Sequence, residues 1–232
     1  MKSSFSDRLV AIHTRLSAKI TTLGLLGLTL CLLALTGLGW LCHEVWEKET
    51  FRFDTALLSA LHRSANPLLD RLMLSITWLG NPEFVVGTVV ASLGWLLWRQ
   101  KRLESGVLII ACLGALLLNQ GMKLTFVRPR PTLWQPLIRE ISYSFPSGHA
   151  LGASVLYGFL AYLLARRYPR RSYLIYASTI IIIGLIGLSR LYLGVHYPTD
   201  IIAGYIVGLL WLSICVALLR HFDPVNEMNE NG

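Results

Sequence analysis

Residues 172–200 read SYLIYASTIIIIGLIGLSRLYLGVHYPTD. Positions 173–188 carry no charge, and the apolar run stops at Ser189-Arg190. A membrane-spanning helix needs about 20 apolar residues, within a range of roughly 17–25, so this run qualifies once its flanks are counted. An arginine at the edge of such a run is costly to keep beside lipid, and an ionisable residue there is functional by default. His196 and Asp200 follow before the next apolar run begins.

Five further runs of the same kind lie at 20–41, 84–98, 106–122, 150–165 and 201–219. Those at 84–98 and 150–165 are short alone and are completed by flanking residues. The basic stretch before the first run, with Lys2, Arg8, Arg15 and Lys19, resembles a signal peptide. The run is too long for the apolar part of one, and no small-x-small cleavage site follows, so it reads as a retained first span. Between the first two runs, Leu68, Leu69, Leu72, Met73 and Ile76 share a helical face, which predicts short amphipathic helices at the membrane surface. The expected fold is therefore all-α: a polytopic membrane protein with six transmembrane helices and short interfacial helices. It forms one domain over 1–220, with its polar motifs inside 123–200. The tail 221–232 is polar and slightly acidic, which suits disorder.

Composition agrees. Of 232 residues 54% are hydrophobic and 15% charged, with a mean hydropathy of +0.55, where a soluble domain carries about a quarter charged residues. The net charge of +8 would suit nucleic-acid binding in a soluble protein. Here the basic residues form short patches between apolar runs, so topology signals and anionic headgroups explain them and no nucleic-acid partner is expected. Cys31, Cys112 and Cys215 lie inside the runs and Cys42 ends one, a spacing that suits neither zinc nor a disulfide framework.

With six spans, both termini and the loops after spans two and four share one side. That side carries 12 of the 21 lysines and arginines, including Arg99, Lys101 and Arg102 in one short turn and Arg166, Arg167, Arg170 and Arg171 in the other. The positive-inside rule makes it cytoplasmic. The compact size and short loops suit a bacterial inner membrane.

On the opposite face the same topology gathers three polar segments: Lys123 with Arg130-Pro131 seven residues on, Pro146-Ser147-Gly148-His149 opening span four, and Ser189-Arg190 followed by His196 and Asp200. Lys123, Arg130 and Arg190 offer three positive charges to a dianionic phosphate, arginine as a planar fork and lysine as a point charge. Ser147 and Gly148 sit at a helix N-terminus, where backbone N–H groups favour an anion. His196 and Asp200 are four apart, so on a helical turn they share a face, and the carboxylate can fix the imidazole tautomer and leave the other nitrogen free to attack. His149 is then available to protonate a departing alkoxide. Asp200 is the one acidic residue in these segments, with Glu140 shortly before the second. Hard cations prefer several oxygens, so a metal-free reaction without cofactor is expected. Arg128 and Arg139 fall outside these spacings and read as surface charges or headgroup contacts.

Lys123-x6-Arg130-Pro131, Pro146-Ser147-Gly148-His149 and Ser189-Arg190-x5-His196-x3-Asp200 resemble the three-part signature of the type 2 phosphatidic acid phosphatase superfamily. That group includes phosphatidylglycerophosphatases, undecaprenyl pyrophosphate phosphatases, glucose-6-phosphatases, soluble acid phosphatases and vanadium haloperoxidases. The resemblance implies a lipid phosphatase in which His196 takes the phosphoryl group and Asp200 supports it. It implies that His149 protonates the leaving group, that Lys123, Arg130, Ser147, Gly148 and Arg190 hold the phosphate, and that the site faces the non-cytoplasmic side. Phosphatidylglycerophosphate, phosphatidate and undecaprenyl pyrophosphate all remain open as substrates. A phosphotransferase passing the phosphoryl group to another lipid is the alternative. A transporter is disfavoured because the polar residues lie at one face rather than at the midplane.

Overall fold

The computed structural model describes residues 5–47 and 51–222, with side chains from residue 24 onward. Lys2 and the tail from 223 lie outside the described residues. All regular structure among the described residues is helical: α1 (Phe5–Trp46), α2 (Arg52–His62), α3 (Pro67–Trp78), α4 (Pro82–Trp98), α5 (Arg102–Phe126), α6 (Gly148–Arg167), α7 (Ser172–Tyr192) and α8 (Pro198–His221), with one 3-10 turn at Pro169–Arg171. The chain divides into two units, Met1–Trp40 and Leu41–Gly232. The described part of the first is the greater part of α1.

Five segments are long and apolar enough to cross a membrane: Gly24–Trp46, Arg102–Phe126, Gly148–Arg167, Pro169–Tyr192 and Pro198–His221. The remaining expected span is α4, an apolar helix of 17 residues. At 1.5 Å per residue it is about 26 Å long, somewhat under the ~30 Å of a hydrocarbon core.

Local sequence explains where the helices begin and end. Pro67 opens α3 behind Asn66, whose side chain accepts from the N–H groups of Leu68 and Leu69 at 3.1 and 3.0 Å. Ser147 caps α6, and Pro198 opens α8, where the Asp200 carboxylate accepts from Tyr197 N–H at 2.8 Å. Lys123 in the last turn of α5 complements the helix dipole. That helix stops at Val127, whose φ of 47° lies in the left-handed region that a β-branched residue rarely enters.

In the second unit α6 is central, packed on α5, α7 and α8. Its crossing with α8 depends on small residues. A Cβ added at Gly204 would lie 2.8 Å from the Ser147 carbonyl oxygen, and one at Gly208 would lie 2.9 Å from that of Leu151. Close backbone approach of this kind is how apolar helices associate where lipid removes the hydrophobic drive between them. The same crossing brings the first turns of α6 and α8 together, with Ser147 N–H donating to the Asp200 carbonyl at 3.0 Å.

The amphipathic stretch forms α2 and α3, but the expected face is buried in part. Leu69, Met73 and Ile76 pack with Tyr192, Leu193 and Val195, whereas Leu68 is 78% exposed and Leu72 48%. The packed positions are i, i+4 and i+7, with Met73 buried and Leu69 and Ile76 half-buried, and the other two leucines lie beside that line. α3 packs on α7, and α2 on α7 and α8. Both helices therefore reach the elements that carry the third motif.

Candidate active site

Four helix ends and one loop converge: the C-termini of α5 and α7, the N-termini of α6 and α8, and residues 127–147. His196 lies between α7 and α8 and is 1% exposed. Its Nδ1 stands 3.4 Å from Asp200 Oδ2, and its Nε2 stands 3.3 Å from Arg130 Nη1. Since arginine can only donate, Nε2 is the acceptor and Nδ1 carries the proton toward the carboxylate. Burial is the main cause that pushes the His196 pKa down to about 4, with Arg130 and Arg190 adding to it and Asp200 opposing. At neutral pH the imidazole is thus uncharged with a free lone pair on Nε2.

Arg130 is fastened along its whole fork. Nε donates to the Ser142 carbonyl at 2.8 Å, Nη2 to Ser142 Oγ at 3.2 Å and Nη1 to the Val195 carbonyl at 2.6 Å. Lys123, 6% exposed, donates to the same Ser142 hydroxyl at 2.8 Å. Arg190 donates from Nη1 to Thr77 Oγ1 at 2.8 Å and from Nη2 to the Glu140 carboxylate, which also lies 3.6 Å from Arg130. Burial raises the Glu140 pKa, but Arg190 and Arg130 outweigh it and hold the carboxyl below its ordinary range. Arg190 Nε is buried with no partner, the one such side-chain nitrogen or oxygen among the described residues. An orphan donor of this sort is expensive unless a ligand completes it.

The second motif lies on the other flank. The Ser147 hydroxyl accepts from Ala150 N–H at 3.4 Å. Its own N–H is taken by Asp200, so it is not one of the free amides expected for an anion. Gly148 lies close to Asn119, which donates to the Pro146 carbonyl at 3.3 Å. A Cβ at position 148 would sit 3.1 Å from Asn119 Oδ1. His149 turns toward the α3–α4 junction, its Nε2 2.9 Å from Asn81 Oδ1. A Cβ on Gly80 would fall 2.6 Å from the His149 ring, so glycine is what admits the imidazole there.

A family profile described as the PAP2 superfamily matches residues 104–223, a little over half the chain and all three motifs. The chain belongs to the PAP2 superfamily. It is 35% identical over 174 residues to phosphatidylglycerophosphatase B of Bacillus subtilis, covering 73% of this chain and 83% of that one. It is 28% identical over 190 residues to an undecaprenyl-diphosphatase of Sulfolobus acidocaldarius, covering 79% and 86%. Among solved structures it resembles the transmembrane PAP2 type phosphatidylglycerolphosphate phosphatase from Bacillus subtilis, with a TM-score of 0.77 and 28% identity over 83% of this chain and 97% of that one. This PAP2 chain is an integral membrane lipid phosphatase.

Several residues of the PAP2 site escape a reading by motif. Arg128 is not a surface charge: it is 6% exposed and bonded to Asp200 and Asp54. Arg139 is exposed, as expected of a surface charge. Arg128 and Arg130 each precede a proline, which biases both toward extended backbone. Arg130 reaches His196 itself, whereas Arg128 reaches Asp200 behind it and Asp54 beyond. Glu140, Ser142 and Ser144 lie in the loop, while Asp54, Thr77 and Asn81 come from α2, α3 and the turn after it, where nothing in the local sequence marks them.

Proposed function

We propose that the protein hydrolyses a lipid phosphomonoester or pyrophosphate through a phosphohistidine on His196, without a metal. His196 Nε2 attacks phosphorus while the bond from phosphorus to the lipid oxygen breaks, and His149 gives that oxygen its proton. Water, deprotonated by His149, then attacks the phosphohistidine, releasing inorganic phosphate and restoring the imidazole. Lys123, Arg130 and Arg190 hold the phosphoryl oxygens together with Ser147, Gly148 and the start of α6. Asp200 orients the ring and stabilises the cation that forms on it.

The observation that carries this reading is the pairing of an unprotonated His196 Nε2 with the unpartnered Arg190 Nε, a nucleophile and an unfilled anion donor in one cation-rich site. The carboxylates support the metal-free reading, since Asp54, Asp200 and Glu140 are each paired with a guanidinium. Phosphatidylglycerophosphate is the first substrate to try, because the relative at 35% identity carries that activity in its name. Undecaprenyl pyrophosphate and phosphatidate follow. We place the chain as one six-span domain over 1–220, α4 included, in a bacterial inner membrane. Both termini are cytoplasmic and the site opens on the other side.

The test is phosphate release by detergent-purified protein in excess chelator, on those three lipids. Release that disappears in His196→Ala is expected. Loss of release in chelator, restored by magnesium, would overturn the metal-free mechanism.

A further inference from the structure

The carboxylate behind the nucleophile is itself held by a second layer of charge. Arg128 Nη1 donates to Asp200 Oδ1 at 2.5 Å and to Thr199 Oγ1 at 2.8 Å, and its Nη2 donates to Asp54 Oδ2 at 3.0 Å. Thr199 adds its hydroxyl to Asp54 Oδ2 at 2.6 Å and its N–H to Asp54 Oδ1 at 3.1 Å. Tyr197 covers the guanidinium, its ring centre 4.3 Å from the arginine carbon. Asp54 and Asp200 have no measurable exposure. The bonds divide the Asp200 carboxylate: Oδ1 faces Arg128, while Oδ2 accepts from Tyr197 N–H at 2.8 Å and from Ser144 and faces His196 Nδ1.

The charges add up in a way that matters for the reaction. As Nε2 bonds to phosphorus, the imidazole keeps its Nδ1 proton and becomes cationic, so Asp200 must meet that charge. An isolated Arg128–Asp200 pair would be neutral and would spend the carboxylate's charge on the arginine. Asp54 adds a second negative charge to the same guanidinium, leaving the group of three with a net charge of −1 under the ring. In a buried site that difference is felt strongly.

We propose that Arg128 and Asp54 are positioning residues of the reaction. Arg128 pins Oδ1 so that Oδ2 points at His196, and Asp54 offsets the charge of Arg128 so that Asp200 remains a full counter-charge for the imidazolium. Neither touches the phosphate. This rests on the assignment of His196 as nucleophile.

The charged and titratable groups facing His196 are Asp200 on α8, Arg130 and Glu140 in the loop, Arg190 on α7 and His149 on α6. All are kept in the variants Asp54→Asn, Arg128→Gln and Arg128→Lys. Phosphate release is measured with phosphatidylglycerophosphate as substrate, between about pH 3.5 and 7, with inorganic phosphate as competing ligand. Asp54→Asn is expected to lower kcat roughly tenfold, with KM and phosphate inhibition within about twofold, because a transition-state contact is lost and a ground-state one is not. The acid limbs of the two neutral variants move in opposite directions. Asp54→Asn removes a negative charge and shifts the limb to lower pH, whereas Arg128→Gln removes a positive one and shifts it higher. Arg128→Lys, keeping the charge without the fork, recovers part of what Arg128→Gln loses. A folded Asp54→Asn with kcat within about threefold of wild type, or limbs that stay put or move together, would overturn the proposal. So would failure of all three variants to fold, since the network would then be structural. Wild-type protein that releases no phosphate, or His196→Ala that turns over normally, would instead defeat the underlying assignment.

Discussion

Arg128 and Arg130 are two residues apart and do opposite things. Around Arg128 two carboxylates, a threonine and a tyrosine ring account for the guanidinium, and both carboxylates are sealed from solvent. Around Arg130 and Arg190 the lattice is incomplete at one atom, Arg190 Nε. One arginine leans on a histidine nitrogen, the other has an empty Nε, and the carboxylate between them is 27% exposed at its side chain. Saturation is the difference. A finished buried network can only hold something in place, whereas an unfinished one has capacity for a ligand.

The largest expected effect comes from removing the unfinished side. Arg190→Ala is expected to lower kcat/KM by about 10²–10³-fold, the usual cost of losing a donor aimed at developing charge. Arg190→Lys recovers little, because an ammonium cannot serve Thr77, Glu140 and an anion from one plane. Steady-state kinetics on the purified variants checks both, and a loss under about threefold would remove Arg190 from the phosphate site.

Next is Gly80→Ala. The new methyl would collide with the His149 ring, whose displacement breaks its bond to Asn81. A fall in kcat on the order of tenfold is expected, part of what a general acid contributes. Unchanged kcat in a folded variant would mean that His149 works from another position.

The pH profile sharpens the comparison further. With the His196 pKa pushed down to about 4 by burial, kcat/KM is expected to hold from neutral pH to about 5 and to fall tenfold per unit below about 4. The unfolded histidine titrates near 6.5, so between about 4 and 6.5 the unfolded chain binds more protons. The contribution of His196 to stability therefore rises with pH across that window. An acid limb near 6.5 would mean that the site is far wetter than its burial implies.

The smallest effect lies beside the finished network. Val127 is 48% exposed and has a positive φ, so Val127→Gly relieves strain at little cost in packing. A gain of about 1 kcal/mol at most is expected in thermal unfolding, with kcat unchanged. A drop in kcat would show that the turn steers Arg128 through its side chain.

These contrasts mark what a sequence can and cannot convey. The apolar runs are legible because lipid imposes length and composition on every residue of a span. Thus 106–122 is recognisably the middle of α5, and 201–219 of α8. The motif residues are legible because polar groups beside such runs need a reason. Arg128 reads like a surface charge because its side chain is the same as that of Arg130, and only the partners it meets in the fold, Asp54 and Asp200, separate them. Asp54, Thr77 and Asn81 were silent because their partners lie 68 to 145 residues along the chain. Ser147 was half right: it caps α6, but the crossing with α8 closes its N–H against Asp200.

The most direct test is to trap the covalent intermediate. Phosphatidylglycerophosphate carrying a radioactive phosphate on its terminal position is mixed briefly with the enzyme in chelator and quenched in alkali. Label bound to protein, stable to alkali, labile to acid and absent from His196→Ala is the expected result. Label that persists on His196→Ala, or turnover with no labelled protein at any quench time, would contradict the account.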